Sequence, residues 1–464
     1  MTAIPIATGQ LLKRTRSRCP VCHAECPAEV VRVEGDPPQI FLHRTCPHHG
    51  EVSACLASDA RFYWLAQGSP ANAACGCAPG SACRASDAAP AGTLGRNAPG
   101  RGDAPFETLS TCLALIEIVN SCNLTCPTCY ADSPLGAGGA VAAVPLEDVQ
   151  RRIQGVIERK GQIEILQLSG GEPTLHPQFF ELLAWTQAHP KILYVLVNTN
   201  GLRVAHDDAF AAELAVATRR GGLQIYLQFD GPQLEGQHAL RAADLRDTRH
   251  KVIERCREMN LPVTLAMTVT EENLPFLWSA VAFGLGFPNV RGVCFQPLFG
   301  SGRLPVAPTD LSQPHRLLNV ADILLAVVGQ SQGRLKFDDF TPLPCGDPNC
   351  AVIGYLLKVN GVVSSVSQFV DFKKLQGFLQ NKVGYNLDDL SRCGCESEPL
   401  GELLKRFELD QSHTFRLFVK PFMDAWSWDQ DRLDRCCTHI IRPDGKLDSF
   451  CRYYSGFPDA RPAP

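Results

Sequence analysis

Three cysteines sit together in the stretch Cys122-Asn-Leu-Thr-Cys126-Pro-Thr-Cys129, a C-x3-C-x2-C spacing with Tyr130 directly after it. Thiolates this close in one loop bind metal, and three of them can hold three irons of a [4Fe–4S] cubane. The fourth iron then has no protein ligand, whereas electron-transfer clusters are usually held by four cysteines. An open iron accepts the amino and carboxylate groups of a small molecule. Further on come Ser169-Gly170-Gly171-Glu172-Pro173, where the glycines allow backbone to approach such an amino acid closely and Glu172 offers a carboxylate. Asn198, Asn200, Gln228, Asp230 and Gln296 add groups that can hydrogen-bond a ribose or a carboxylate. Taken alone, the three thiols also fit a zinc knuckle or a ferredoxin site completed by a distant cysteine. The glycine–glutamate motif argues against both.

These residues need elements to hold them. Apolar, strand-like runs occur at 112–119, 163–168, 192–197, 223–229, 263–269 and 290–295. Helical periodicity fills the gaps at 146–160, 177–189, 207–219, 249–260 and 273–285. Six βα units in succession predict an α/β fold with a parallel sheet covered by helices. The short, ordered connections suit a partial (β/α)6 barrel. In such barrels chemistry sits at the C-terminal strand ends, and the polar and glycine residues named above follow those ends.

The flanks are dominated by cysteine. The whole chain has 464 residues, 21 cysteines and a formal net charge of −4. That charge balance argues against a nucleic-acid partner. An odd thiol count in a long chain with no export pattern points to metal rather than disulfides, and to a cytoplasmic location. No apolar run reaches the roughly 18 residues of a membrane span. Residues 317–328 are broken by Asn319 and Asp322 and read as a core helix, with a lipid-lining helix as the alternative.

Cys19-Pro-Val-Cys22 and Cys46-Pro-His48-His49 read as two knuckles of a rubredoxin-like or zinc-ribbon-like module over residues 1–70, holding one iron or zinc. His49 is preferred as fourth ligand over His48, Cys26 and Cys55. Residues 71–111 form a cysteine loop and linker. Its Cys75, Cys77 and Cys83, with Cys112 at the head of the first strand, supply four thiolates for an auxiliary [4Fe–4S] cluster. The barrel is expected over 112–305 and a C-terminal auxiliary-cluster domain over 306–464. There Cys345, Cys350, Cys451 and one of the adjacent pair Cys436 and Cys437 make a second auxiliary site, with Cys437 taken as the ligand. Cys393 and Cys395 stay unassigned.

The cysteine triad, Gly170–Pro173, Asn198–Gly201 and the barrel pattern together resemble the radical SAM superfamily. The resemblance implies reductive cleavage of S-adenosylmethionine to a 5′-deoxyadenosyl radical, with a one-electron donor such as ferredoxin or flavodoxin. The order of knuckles, cysteine loop, barrel, L-P-C-x4-C and C-C-x-H narrows it further. It is similar to the tetraether lipid synthases and to radical SAM methyltransferases acting on a pterin. The loop spacing C-x-C-x5-C departs from that family's usual pattern. The lipid synthases imply C–C bond formation on unactivated alkyl chains, with peripheral contact at the inner face of the membrane. The alternative is C-methylation of a pterin or another small heterocycle. A non-catalytic iron–sulfur electron carrier is a third reading, but it has no need of Gly170–Glu172. A peptide-modifying enzyme would bring a recognition module that the sequence does not show.

Overall fold

The computed structural model describes residues 9–66, 111–134, 141–304, 311, 314–343, 346–359, 361–368 and 413–455. Cys75, Cys77, Cys83, Cys345, Cys393 and Cys395 lie outside the described residues.

The N-terminal module is an antiparallel meander of β1 (Gln10–Arg18), β2 (Glu25–Val33), β3 (Gln39–Cys46) and β4 (Gly50–Ala57). Alternation along β2 and β3 turns Ala28, Val30, Ile40 and Leu42 onto one face, where they form a small core with Ala57. The β1–β2 and β3–β4 turns fall at the same end and carry the two knuckles. The turn at Gly35-Asp36-Pro37-Pro38 separates β2 from β3.

The barrel strands are β5 (Leu113–Val119), β6 (Ile163–Gly170), β7 (Ile192–Thr199), β8 (Leu223–Gln228), β9 (Val263–Val269) and β10 (Val290–Pro297), parallel neighbours in chain order. Parallel strands need cover on their outer face, and helices supply it. The helix Leu146–Lys160 shows how: Val149, Ile153, Val156 and Ile157 recur at helical spacing and are buried, and Gly161 ends it at φ +83°. The expected partial (β/α)6 barrel is therefore observed.

The sheet does not stop at residue 305. Short β11 (His315–Arg316) returns to β4, and β12 (Phe340–Pro342), β13 (Val352–Val359) and β14 (Val362–Ser365) follow. Then β15 (Thr414–Val419) adds in parallel beside β10, and β16 (Thr438–Ile441) adds in parallel beside β5. The C-terminal segment thus extends both edges of the barrel to eight parallel strands. Antiparallel β13 then covers β15, and β17 (Leu447–Ser449) covers β16.

Residues 317–328 contribute to the core. Asn319 caps the helix Val320–Gln330, whose Val320, Ala321, Ile323, Leu324 and Val327 are buried in the main apolar core. The ribbon is fastened to the C-terminal segment by Arg44, a buried guanidinium that donates to Ser17 Oγ at 2.9 Å, to Ala425 O at 2.8 Å and to Trp426 O. Beside it Lys13 pairs with Asp429 at 2.7 Å.

Candidate active site

β5 ends in Asn120-Ser121 and delivers Cys122 to the C-terminal rim of the barrel. The loop that follows is held on several sides. Cys129 and Arg303 exchange two backbone hydrogen bonds of 2.9 Å, Arg303 Nε donates to Cys126 O at 3.0 Å, and Thr128 Oγ1 donates to Leu240 O at 3.2 Å. Cys122, Cys126 and Cys129 are free thiols that line one cavity. Burial pushes the Cys122 thiol up to about 12, so its thiolate needs a positive partner. Three soft donors converging on one open space fit the three protein-held irons of a cubane.

Gly170 and Gly171 line the same cavity as the three thiols, and they also let two backbone segments meet. A Cβ on Gly170 would lie 2.1 Å from Val119 O, and one on Gly171 2.2 Å from Ser121 O. Their absent side chains let β6 press its end against the backbone that carries Cys122. Glu172 is fully buried and binds this junction together. Its Oε1 accepts from Thr174 Oγ1 and Thr199 Oγ1, each at 2.7 Å, and its Oε2 accepts from Asn200 N at 2.8 Å. Burial drives its pKa up, against these hydrogen bonds. Asn200 in turn donates to Asn123 Oδ1 at 2.7 Å within the cysteine loop. Asn198 donates to Ser169 Oγ at 3.2 Å and to the Tyr130 hydroxyl at 3.3 Å, while the Tyr130 ring packs on Phe450 and Tyr454.

Asp230 corrects another expectation. It has no exposed surface and both oxygens are occupied: Oδ2 accepts from Arg241 at 2.7 Å and Arg249 at 3.2 Å, and Oδ1 from Gln228 at 2.8 Å and Thr268 N at 3.0 Å. It has no capacity left for a ribose. Burial works against its charge, but the two guanidiniums hold it below the usual carboxylate range. Its effect on the site runs through Arg241, which lines the cavity beside Cys126.

That cavity has a volume of about 330 Å³ and runs from the three thiols down the barrel lumen. Gln228 and Gln296 face it, with Gln296 donating to the Tyr226 hydroxyl at 2.9 Å. Lower down its walls include Gln167, Leu196, Gln224, Cys294 and Phe418. None of residues 319–328 lines it.

At the ribbon end, Cys19, Cys22, Cys46 and His49 present ligand atoms that all lie within 4.8 Å of one another. Cys19 Sγ and Cys46 Sγ are each 3.6 Å from His49 Nδ1, and Cys22 Sγ is 3.6 Å from Cys46 Sγ. Tetrahedral zinc with Zn–S near 2.3 Å calls for separations of about 3.7 Å, which these match. Cys26 is buried alongside Cys19 and Cys46 but points its thiol at Ala24 O, 3.3 Å away. Cys55 sits on β4 near Arg316 and Asp322, outside this group.

Residues 116–275 match the radical SAM superfamily, and residues 11–58 match the HMPTM N-terminal zinc ribbon domain. The barrel is a radical SAM domain. The chain is 24% identical to the 7,8-dihydro-6-hydroxymethylpterin dimethyltransferase of Methanocaldococcus jannaschii, over 95% of this chain and 93% of that one. It is 28% identical to the mycofactocin maturase MftC of Mycobacterium ulcerans, over 27% of this chain and 31% of that one. Among solved structures it is similar to Streptococcus suis SuiB bound to S-adenosylmethionine, with TM-score 0.37, 16% identity, and coverage of 48% of this chain and 47% of that one. The protein is thus a radical SAM enzyme with an N-terminal zinc ribbon, and such an enzyme works with a [4Fe–4S] cluster and S-adenosylmethionine.

The radical SAM domain also borders the C-terminal cysteines. Burial pushes the Cys436 thiol up, and the neighbouring Cys350, Cys437 and Cys451 add to this. Arg432 Nε donates to Cys350 Sγ at 3.3 Å, and Met423 N donates to Cys451 Sγ at 3.3 Å. A Cβ on Gly346 would stand 3.3 Å from Cys437 Sγ, which turns Cys437 toward the 346–350 loop, while Cys436 donates to Thr438 O at 3.1 Å. Cys112 N donates to Cys437 O at 2.9 Å, so the head of β5 lies against this group. Arg241, Tyr226 and Gln167 were not singled out from sequence. Arg241 lies in a short helix with no apolar periodicity, and Gln167 is one polar residue inside an apolar run. The inward-facing alternation of β6 was the signal available for Gln167.

Proposed function

We propose that this radical SAM enzyme adds one-carbon units to a pterin-type heterocycle held in the barrel lumen. The observation that carries the reading is the lumen wall itself. Gln167, Asn198, Gln224, Gln228, Gln296 and Tyr226 project amides and a hydroxyl into one cavity, between apolar surfaces such as Leu115, Leu196 and Phe418. A flat ring with polar edges satisfies both kinds of surface. An alkyl chain would leave Gln167, which has no side-chain partner among the described residues, facing hydrocarbon, which is costly. The likeness to a pterin dimethyltransferase over nearly the whole chain supports the same choice. Pterin methylation therefore takes precedence over lipid-chain joining.

In this reading Cys122, Cys126 and Cys129 hold the [4Fe–4S] cluster. A cluster bound there would supply the electron for reductive cleavage of S-adenosylmethionine. Glu172 fixes the Asn200 loop beside the cysteine loop, and Tyr130, Phe450 and Tyr454 close the rim against water. Arg241, held by Asp230, places its guanidinium charge on the cavity wall. Cys350, Cys437 and Cys451 would hold an auxiliary cluster together with Cys345, which lies outside the described residues, and Arg432 beside Cys350 would offset its negative charge. A ferredoxin or flavodoxin delivers the electron.

The test is anaerobic incubation of the reconstituted enzyme with S-adenosylmethionine, reductant, a one-carbon donor and 6-hydroxymethyl-7,8-dihydropterin, followed by mass spectrometry. A pterin product heavier by one or two methyl groups is expected. Formation of 5′-deoxyadenosine with no methylated pterin would overturn the reading.

A further inference from the structure

Gln167 differs from the other amides of the lumen. It lies mid-strand on β6, where Leu166 and Leu168 point outward into the core beneath the helices and Ile165 and Gln167 point inward. Its side chain is more than nine-tenths buried, with a relative exposure of 8%, yet it lines the cavity and makes no hydrogen bond among the described residues. The other amides all have partners. Asn198 binds Ser169 and Tyr130, Gln224 accepts from Tyr194 at 3.1 Å, Gln228 binds Asp230, and Gln296 binds Tyr226.

The register explains why Gln167 is left out. Its neighbours across the ladder are Leu115 on β5 and Leu196 on β7, and both line the cavity. Neither can donate or accept. A buried amide between two leucines costs free energy unless a partner arrives from the cavity side. Glutamine offers an acceptor and two donors from one planar group. Its complement is an adjacent carbonyl and N–H, the edge of a lactam. A ring bearing that edge would find apolar surface on either side, on Leu115 and Leu196.

We propose that Gln167 is the specificity residue that reads the lactam edge of the substrate ring. This rests on the pterin reading above, since the pyrimidinone ring of a pterin presents that edge. The test compares binding of 7,8-dihydropterin and 2,4-diaminopteridine to the reconstituted holoenzyme with S-adenosylmethionine present. In 2,4-diaminopteridine an amine replaces the carbonyl.

Gln167→Met removes both hydrogen bonds with little change of shape and should weaken dihydropterin roughly 10- to 100-fold. Gln167→Glu keeps the shape but only accepts, so it should repel the carbonyl and favour the diamino ring. The ratio of the two affinities should then shift by at least tenfold toward 2,4-diaminopteridine. A merely structural role would weaken both ligands alike. Thermal melting and affinity for S-adenosylmethionine report on folding in each variant. An unchanged ratio in Gln167→Glu, with dihydropterin bound normally by the unaltered enzyme, overturns the role of Gln167 and leaves the pterin reading standing. No binding of dihydropterin by the unaltered enzyme overturns both.

Discussion

Asp230, Arg241 and Arg249 show how a polar residue at a strand end can serve the site without touching a ligand. Asp230 accepts hydrogen bonds from two buried guanidiniums, and one of these lines the cavity that the three thiols share. Removing one member of such a network leaves a buried charge without its partner, which costs about 3–5 kcal/mol. Asp230→Asn is therefore expected to lower unfolding free energy by about that amount near neutral pH, as read from urea denaturation. The pH dependence has a definite sign. The folded-state pKa of Asp230 is depressed, so its stabilisation is fully present above the unfolded value near 4 and fades as pH falls toward the folded value. The difference between the parent and Asp230→Asn should shrink as pH drops below about 4; a constant difference would contradict the ion-pair account. Asp230 was legible in the sequence as a polar group at the rim. Its partners were not, because they lie 11 and 19 residues further on, in segments whose local pattern gives no sign of where they fold back.

At the scale of elements, the strand ends and their connections do the positioning. Gly171 lets the end of β6 meet the backbone before Cys122, and Glu172 ties in the loop after β7. Gly171→Ala places a Cβ 2.2 Å from Ser121 O, so the cysteine loop must shift. The expected outcome is loss of most of the iron bound at Cys122, Cys126 and Cys129, with at least tenfold weaker affinity for S-adenosylmethionine. Iron analysis and equilibrium binding check it, and unchanged values would show that the loop does not depend on this approach. The six strands β5–β10 were readable because each is a short apolar run between helical segments. The pairings of β15 and β16 with the barrel edges were not readable. Each joins a strand far away in the chain, and local propensity says nothing about which edge a strand will find. In the same way residues 317–328 showed their apolar character in the sequence, but only packing decides between core and groove.

Across the whole molecule, the zinc ribbon, the radical SAM domain and the C-terminal strands form one connected structure. Arg44 and Lys13 of the ribbon hold residues 425–429, and Arg432 just beyond reaches Cys350. A metal that orders the ribbon therefore supports the wall of the C-terminal cysteine group as well. Cys19→Ser is expected to lose the ribbon metal and to lower the melting temperature by several degrees, because a structural zinc contributes folding free energy directly. Metal analysis with calorimetry checks this; an unchanged melting temperature with the metal gone would refute the structural role.

The central claim is that Cys122, Cys126 and Cys129 hold the cluster at which S-adenosylmethionine is cleaved. The most direct measurement is the yield of 5′-deoxyadenosine from the anaerobically reconstituted, reduced protein and its Cys126→Ala variant, with iron counted in both. The account predicts 5′-deoxyadenosine from the parent, none from Cys126→Ala, and an iron content lower by about one cubane in the variant. Continued formation of 5′-deoxyadenosine by Cys126→Ala would contradict it.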